Sequence, residues 1–402
     1  MTPLSRRLPV LAIAVLAWTV SARPAPACPF CTMQGQTLTS EVGQASMVLY
    51  GTLQNAKLEP NGGFNEGTTD LAIESVIKDH ETVAGKKVIT LNRYVPTDGD
   101  TKSKFLVFCD VFKGKVDPYR GMQVKADSDI ARYLAGALKI KDRDLNTRLR
   151  YFFDYLDDPD VEVSNDAYKE FGNADYKDYR DMAKSLPPDK IAGWLRDPNT
   201  PSFRFGLYAS MLGHCGKAEH AALLRSLLDD SDKRVSSGLD GILAGYTLLK
   251  PKEGWEYLSG ILKDPSKDFT LRYAALRTVR FFWDSRPDVV ARKDLLGGVC
   301  ALLEQADIAD LAIEDLRKWH QWSEADKILA LKDRPSHNVP IVRRSILRFA
   351  LSCPDDPAAA AYVAELRKKD ARMVSDAEEL LKLETAAQTT SKPQENTQAT
   401  KK

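Results

Sequence analysis

The stretch Leu156-Asp157-Asp158-Pro159-Asp160-Val161 carries a short mark that recurs through the last two-thirds of this 402-residue chain. A leucine ends an apolar run, an aspartate follows, and most copies then carry a proline or serine. The mark returns at 195–199, 228–232, 262–266, 331–335 and 366–370. The anchoring aspartates lie about 35 residues apart on average, a period that is typical of a stacked helical array.

Each mark separates two predicted helices. Before it, as in Tyr151–Leu156 and Trp255–Leu262, apolar residues spaced three and four apart form one face of a helix. Proline disfavours helix in the residue before it and suits the start of the next helix, whose free N–H groups the aspartates and serines can cap. The second helix carries small residues, which predict close approach of neighbouring helices: Ala167, Ala209, Gly238, Ala274, Ala275 and Ser345.

The pattern resembles the HEAT-repeat family over residues 145–385. The matching residues are Leu156–Val161 with Ala167, Leu228–Asp232 with Val235, and Leu262–Ser266 with Ala274. The resemblance implies an α-solenoid of helix pairs that binds proteins or peptides on its surface. Phe269 stands where the family has valine, and the valine is missing near Asp307, so we expect distortion in those copies.

The first 27 residues have the features of a secretory signal. Arg6 and Arg7 precede the uncharged run Leu8–Val20, and Ala25-Pro26-Ala27 offers a small-x-small cleavage site. We therefore predict an exported chain, periplasmic or extracellular, with association with the envelope as an alternative and with no integral membrane span after signal removal. An uncleaved anchor and a lipid anchor at Cys28 stay open as alternatives, although Ala25 replaces the leucine that a lipobox normally has.

The amino-acid composition bears on whether the partner is a protein or a nucleic acid. The chain is 43% hydrophobic and 28% charged, as folded soluble proteins are, and its formal net charge of +1 lacks the basic excess of nucleic-acid-binding proteins. We predict a protein or peptide partner and no nucleic acid. Residues 386–402 are polar and predicted to be a disordered tail.

Residues 28–140 differ from the rest and predict a small β-rich domain. Strand-length runs rich in β-branched and aromatic residues cover 46–53, 70–77, 87–91 and 104–109, and Asp127–Asp129 can cap a helix over 130–135. We therefore expect an α+β chain of two domains, in which a β-barrel or sandwich precedes the α-solenoid.

This segment resembles the netrin-like modules, which are built on an OB-fold barrel. The resemblance rests on Cys28-Pro29-Phe30-Cys31, Tyr50–Leu53, Val76–Lys78 and Phe105–Cys109. In that superfamily, metalloproteinase inhibitors chelate the protease zinc with a mature N-terminal cysteine. The resemblance would give Cys28 that role, but those inhibitors begin Cys-x-Cys and this chain has Cys-x-x-Cys.

The Cys28-x-x-Cys31 motif admits several functions. A redox dithiol is activated at a helix N-terminus, usually after a strand, and this motif has no room for a preceding strand. A structural zinc site needs about four ligands, and only Cys109 and the remote His80 are available. We favour a structural disulfide that ties the N-terminal arm to the barrel, for instance from Cys28 or Cys31 to Cys109.

No nucleophile elbow, zinc-protease motif, Walker loop or dinucleotide fingerprint is present, and we predict neither an enzyme nor a cofactor. His214-Cys215 with His220 is the one suggestive group, and we interpret it as a buried cysteine between exposed histidines, with zinc binding as the alternative.

Aromatic and basic residues recur in the predicted array. Trp283, Trp319 and Trp322 are interpreted as packing residues; together with Arg280 they are also the partner-binding candidates. Basic residues recur on the second helices and predict a solvated face, with a basic strip for an acidic partner as the alternative: Arg272, Arg277, Arg280, Lys318, Arg343, Arg344 and Arg348.

Overall fold

The computed structural model describes residues 28–59, 66–97, 103–229 and 233–390. It has the expected two-part α+β layout, a small antiparallel sheet followed by many helices. The predicted signal segment and the mark at 230–232 lie outside the described residues. None of the described helices combines the length and the apolar character that crossing a bilayer requires.

The sheet is an antiparallel arrangement in the order β3-β2-β1-β4-β5. Its strands are β1 (Met47–Leu58), β2 (Gly67–Lys78), β3 (Val88–Leu91), β4 (Lys104–Phe112) and β5 (Lys115–Val124). The edge strands β3 and β5 come into contact, yet no hydrogen-bonded ladder joins them in the described part of the chain. The structure thus shows a five-stranded sheet, and the expected closed barrel is not formed by strand pairing.

Alternating side chains give the sheet two buried faces. Val48 and Phe108 belong to one face, which merges with the core of the helical region. Leu49 and Val107 belong to the other, which forms a separate apolar cluster with β3. The first face therefore joins the sheet to the helices through a shared core.

The helices follow one another through the rest of the chain, apart from the short α1 that precedes the sheet. Their bounds are α1 (Leu38–Gln44), α2 (Ile130–Lys139), α3 (Leu145–Phe153), α4 (Val161–Gly172), α5 (Tyr176–Ala183), α6 (Pro188–Arg196), α7 (Phe205–Cys215), α8 (Ala218–Asp229), α9 (Leu239–Leu249), α10 (Pro251–Lys263), α11 (Phe269–Ser285), α12 (Arg292–Leu302), α13 (Ala309–Lys318), α14 (Ala325–Ala330), α15 (Pro340–Ser352), α16 (Pro357–Lys369) and α17 (Ala371–Thr390).

From α3 onward the helices pack as consecutive pairs, with α5 as an additional helix after the first pair. The second helices of the pairs also contact one another, as α7 does with α9, α9 with α11, and α13 with α15. The first helices form the other layer through contacts such as α6 with α8 and α10 with α12. This two-layer arrangement is solenoid-like.

The anchoring aspartates shape the turn between paired helices. The side chains of Asp158, Asp197 and Asp264 each accept a hydrogen bond from the backbone N–H two residues later, at 2.8, 2.8 and 2.9 Å. In each case the residue between is a proline, which has no N–H to offer. A different aspartate then caps the next helix: Asp160 for α4 and Asp268 for α11. The mark therefore makes the turn, and capping falls to a later residue.

Side-chain bonds between neighbouring pairs repeat the period of the mark. Arg272 Nη2 donates to Asp307 at 2.5 Å, and Arg280 Nε donates to Asp315 at 2.7 Å, both across 35 residues. Arg272 is almost fully buried, so the expected solvated face is wrong for this residue. Asp307, which accepts this hydrogen bond, lies in the repeat that we expected to be distorted.

Small residues allow the second helices to approach closely, as predicted. A Cβ added to Gly245 of α9 would lie 2.3 Å from the Ala209 carbonyl oxygen of α7. α17 continues to Thr390 and so includes residues 386–390 of the predicted tail; the remainder of that tail lies outside the described residues.

Candidate functional site

The segment Cys28–Gly35 lies against the second helices of the array. Cys28 and Cys31 form a disulfide with a Cα–Cα distance of 5.4 Å, and both side chains are buried. The amide of Cys31 also donates to the carbonyl of Cys28 at 3.3 Å. The motif thus closes a compact loop, which we call the disulfide loop (residues 28–31).

Polar contacts hold residues 32–35 of this segment against α4. Thr32 N–H donates to the Tyr168 hydroxyl at 3.3 Å, and Asn173 exchanges two hydrogen bonds with the backbone of Gly35. Glycines permit the close approach: a Cβ at Gly172 would lie 2.1 Å from the carbonyl oxygen of Met33. Contacts of this kind rest on backbone groups, so they fix the position of the segment.

Phe30 inserts between the helices. Its ring lies 4.7 Å from that of Phe281 on α11, and Phe281 lies 4.8 Å from Tyr176 on α5. Both phenylalanines are buried, at 3% exposure each. A Cβ at Gly206 of α7 would lie 2.7 Å from the Phe30 carbonyl oxygen. The disulfide loop is therefore an integral part of the array's core.

The structure corrects the expected cysteine pairing. Cys109 is a free, fully buried thiol on β4, whose residues alternate between the two faces of the sheet. Phe108 points to the face that meets the helices and the disulfide loop, so Cys109 points into the opposite cluster. A bond from Cys109 to Cys28 or Cys31 would have to cross the sheet.

An open cavity of about 580 Å³ lies beside the disulfide loop, and we call it the arginine cavity. Pro29 forms one wall, the beginning of α5 a second, and the later turns of α11 a third. Tyr176, Tyr273 and Phe281 supply aromatic surface. The volume falls in the range of clefts that hold small ligands or short peptide segments.

Four cations and two carboxylates line the arginine cavity: Lys177, Arg180, Arg277, Arg280, Asp175 and Asp284. Arg277 donates to the carbonyl of Pro29 at 3.0 Å and pairs with the buried Asp240. Burial raises the pKa of Asp284 above its usual value, opposed by Arg280 and Arg292. The cavity thus combines a cationic excess with a few acceptors.

A second cavity of about 560 Å³ adjoins the first, since Arg280 and Asp284 line both. We call it the α13 cavity; three cations and four carboxylates line it, and Leu311 and Trp319 supply its apolar surface. The two cavities together are called the groove. It runs from the disulfide loop to Glu384 on α17.

The partner-binding candidates fall at different depths. Trp283 is 9% exposed and stacks on Trp319 with a centroid distance of 4.2 Å. Trp319 and Arg280 line the groove, whereas Trp322 packs edge-on against Phe349, 5.4 Å away. Arg280 and Trp319 are therefore accessible from the groove, and Trp283 packs behind Trp319.

The side chains of His214, Cys215 and His220 do not meet at a common point where they could bind zinc or a substrate. His214 is bonded to the Tyr176 hydroxyl at 3.1 Å, and burial, followed by Arg286 and Arg180, lowers the pKa of His214 to about 3. His220 is buried, contrary to the expected exposure, and accepts from Lys217 N–H. Burial raises the pKa of Cys215 to about 11, which opposes thiolate formation. These groups make structural bonds.

The other free thiols are not activated, and the potential metal-ligating side chains do not cluster among the described residues. Burial raises the pKa of Cys109 and Cys300 to about 12. Among the described residues, no cluster of three or more histidine, cysteine, aspartate or glutamate side chains is arranged to hold a metal ion.

The geometry of Cys28 bears on the alternative functions. Its sulfur is bonded to Cys31, so in this state it carries no lipid and chelates no zinc. The same bond is the oxidised form of a redox dithiol, and the observation that bears on that function is the burial of both sulfurs, which hinders attack by an external thiol. The first helix after the motif, α1, begins only at Leu38.

Comparison of this chain with models of protein families, with curated proteins and with solved structures finds no match. The groove is therefore characterised by its own chemistry.

Sequence reasoning identified Arg277 and Arg280 as part of a recurring basic set but missed the residues that complete the cavity with them. Lys177 and Arg180 belong to α5, which falls outside the repeat, and Pro29 lies almost 250 residues before Arg277. The one available signal was the density of charged and tyrosine residues over 175–181, which is unusual for a connector.

Proposed function

We propose that this chain is a non-catalytic, exported scaffold that holds a protein or peptide partner in the groove on the second-helix face of a HEAT-like array. The observation that carries the proposal is the continuity of the arginine cavity and the α13 cavity through Arg280 and Asp284. An open, elongated groove lined by aromatic and charged side chains suits an extended polypeptide, since such a segment offers side chains to successive subsites.

The state of the potentially reactive groups supports binding over catalysis. His214 is held neutral by burial and is bonded to Tyr176, and the pKa of each free thiol is raised. General base or nucleophilic catalysis needs a group with a pKa near the working pH and a free approach to substrate.

Export is part of the proposal. It is supported by the signal-like segment before Cys28 and by the Cys28–Cys31 disulfide, because disulfides persist in oxidising compartments. Mass spectrometry of alkylated, non-reduced protein from an exporting host tests it. We expect a chain that begins near Cys28 with four alkylated cysteines; a full-length chain with six alkylated cysteines would contradict export and the disulfide.

Site-directed photo-crosslinking tests the binding face. A photoreactive residue is placed at Lys177 or Lys318 in the groove, and at Arg196 or Lys252 on exposed positions of the first-helix layer. We expect a discrete crosslinked partner from the groove positions alone. Equal labelling from both layers, or labelling from neither, refutes the groove as the binding site.

A further inference from the structure

The arginine cavity offers hydrogen-bond donors that the protein itself does not use. Arg280 binds Asp315 through Nε alone, at 2.9 and 2.7 Å to the two carboxylate oxygens. Arg180 makes one long bond, from Nε to Asp181 at 3.4 Å. The terminal nitrogens of both guanidinium groups make no hydrogen bond to the described residues. Guanidinium groups present paired N–H donors that match a carboxylate.

The surroundings favour a single carboxylate over a polyanion. Asp175 and Asp284 share the cavity with the cations, so a phosphate backbone would meet two like charges. One oxygen of Asp175, Oδ1, is buried without a hydrogen-bond partner among the described residues; a peptide N–H donor would satisfy it once the side chain turns toward the cavity. A polypeptide supplies both an acidic side chain and such donors.

The adjoining cavity selects by shape. In the α13 cavity, Lys318 and Arg348 are matched by Glu314 and Glu384, and Arg348 is bonded directly to Glu384 at 2.6 Å. The apolar surface of this cavity is that of Leu311 and Trp319, and the Trp319 ring stacks on Trp283. An apolar or aromatic side chain gains most there, because it covers the indole without disturbing the ion pairs.

We propose that the partner presents an acidic residue to the arginine cavity and a nearby apolar residue to the α13 cavity. The acidic carboxylate binds the free nitrogens of Arg180 and Arg280, with Lys177 adding charge at the mouth, while Tyr176 and Phe281 contact the stem of the side chain. This inference rests on the proposed function, since it specifies which peptides the groove accepts.

Selection from a displayed library of random heptapeptides tests the inference on the intact chain. We expect enrichment of peptides that combine Asp or Glu with an apolar residue. A selected peptide and its Glu→Gln or Asp→Asn analogue are then compared by fluorescence anisotropy, and loss of the charge should weaken binding about tenfold or more.

Matched charge reversals locate the contact. The Lys177→Glu/Arg180→Glu double variant should weaken the acidic peptide about tenfold or more, whereas Arg196→Glu/Lys252→Glu, with the same change in net charge, should not. Circular dichroism verifies folding; the ion pairs of both substituted groove residues are with neighbours in sequence, so neither pair joins two helices.

The outcomes separate the two proposals. Peptides selected without acidic residues, or unaffected by neutralisation, overturn the acidic preference while peptide binding in the groove stands. Failure to select any groove-dependent peptide overturns both. Equally effective competition by a single-stranded oligonucleotide would show general anion binding and also overturn the inference.

Discussion

Truncation of Phe30 tests whether the disulfide loop is part of the folded core. Phe30 is 3% exposed, and its ring lies edge-on to Phe281 at 4.7 Å. Removing a buried phenylalanine side chain forfeits about 1.5–3 kcal/mol of apolar burial, an aromatic pair worth about 1 kcal/mol, and leaves a cavity. We therefore expect Phe30→Ala to lower the free energy of unfolding by about 4 kcal/mol.

Thermal unfolding followed by circular dichroism measures the effect. With an unfolding entropy of about 2.1 cal/mol/K per residue, roughly 350 described residues unfolding together give about 0.7 kcal/mol per degree. A loss of about 4 kcal/mol then lowers the melting temperature by about 5 °C. Phe112→Ala is the matched control, because Phe112 is 61% exposed and should change the melting temperature by less than about 1 °C.

The refuting result is specific. If Phe30→Ala melts within about 1 °C of Phe112→Ala, while amide exchange rises only in residues 28–35, the loop is a peripheral attachment. The wall that Pro29 gives to the arginine cavity would then be separable from the array, and the groove would have to be redefined without it.

Three further changes have expected outcomes. Cys28→Ser/Cys31→Ser opens a four-residue loop and should cost about 2 kcal/mol in urea unfolding; an unchanged midpoint would contradict a structural disulfide. His214 has a pKa lowered to about 3 in the fold, so stability is complete above its unfolded pKa of about 6.5 and is lost on acidification below it. Between pH 7.5 and pH 5, His214 should lower the free energy of unfolding by about 2 kcal/mol, and His214→Gln should abolish this loss. If the free energy of unfolding falls equally with pH in both proteins, the prediction is refuted. Gly241→Ala places a Cβ 2.2 Å from a backbone oxygen of α7 and should destabilise by about 2 kcal/mol or more, whereas Gly260→Ala, which meets open space on α10, should stabilise by up to about 1 kcal/mol; similar melting temperatures would contradict the close helix packing.

Local signals predicted the regular parts of this fold. The alternating runs located β1 to β4, and the apolar stripes with their Asp marks located the helix pairs. The missed strand, β5, contains Pro118 and Gly121, which weaken a strand pattern in sequence; at a sheet edge, proline costs no ladder bond. Edge position depends on neighbours, so the run alone could not reveal it.

The site depended on contacts that no local pattern encodes. In the sequence, Cys109 is a suitable disulfide partner for Cys28 or Cys31. Only the register of β4 against β1 shows that the Cys109 side chain lies on the sheet face opposite to the disulfide loop. The arginine cavity joins Pro29, Arg180 and Arg277, which belong to three unrelated segments. Composition does not reveal the cationic excess of the arginine cavity, because acidic residues elsewhere in the chain keep the net charge at +1.

The disulfide loop covers part of the face that the second helices of the array form. In a solenoid each repeat buries its apolar stripe against its neighbours, and the second-helix face is left for partners. Here the chain covers part of that face itself, with Phe30 packed on Phe281 and the backbone of residues 30–33 set against Gly172 and Gly206. Close packing of this kind leaves no room for another chain at the same place. The open cavity lies where the loop ends, with Pro29 as one wall, and the proposed function puts the partner there. The helical array taken alone would expose an apolar surface and lack one side of its groove. The segment between residues 28 and 35 therefore completes the core of the array, and under the proposed function it sets where on the array a partner binds.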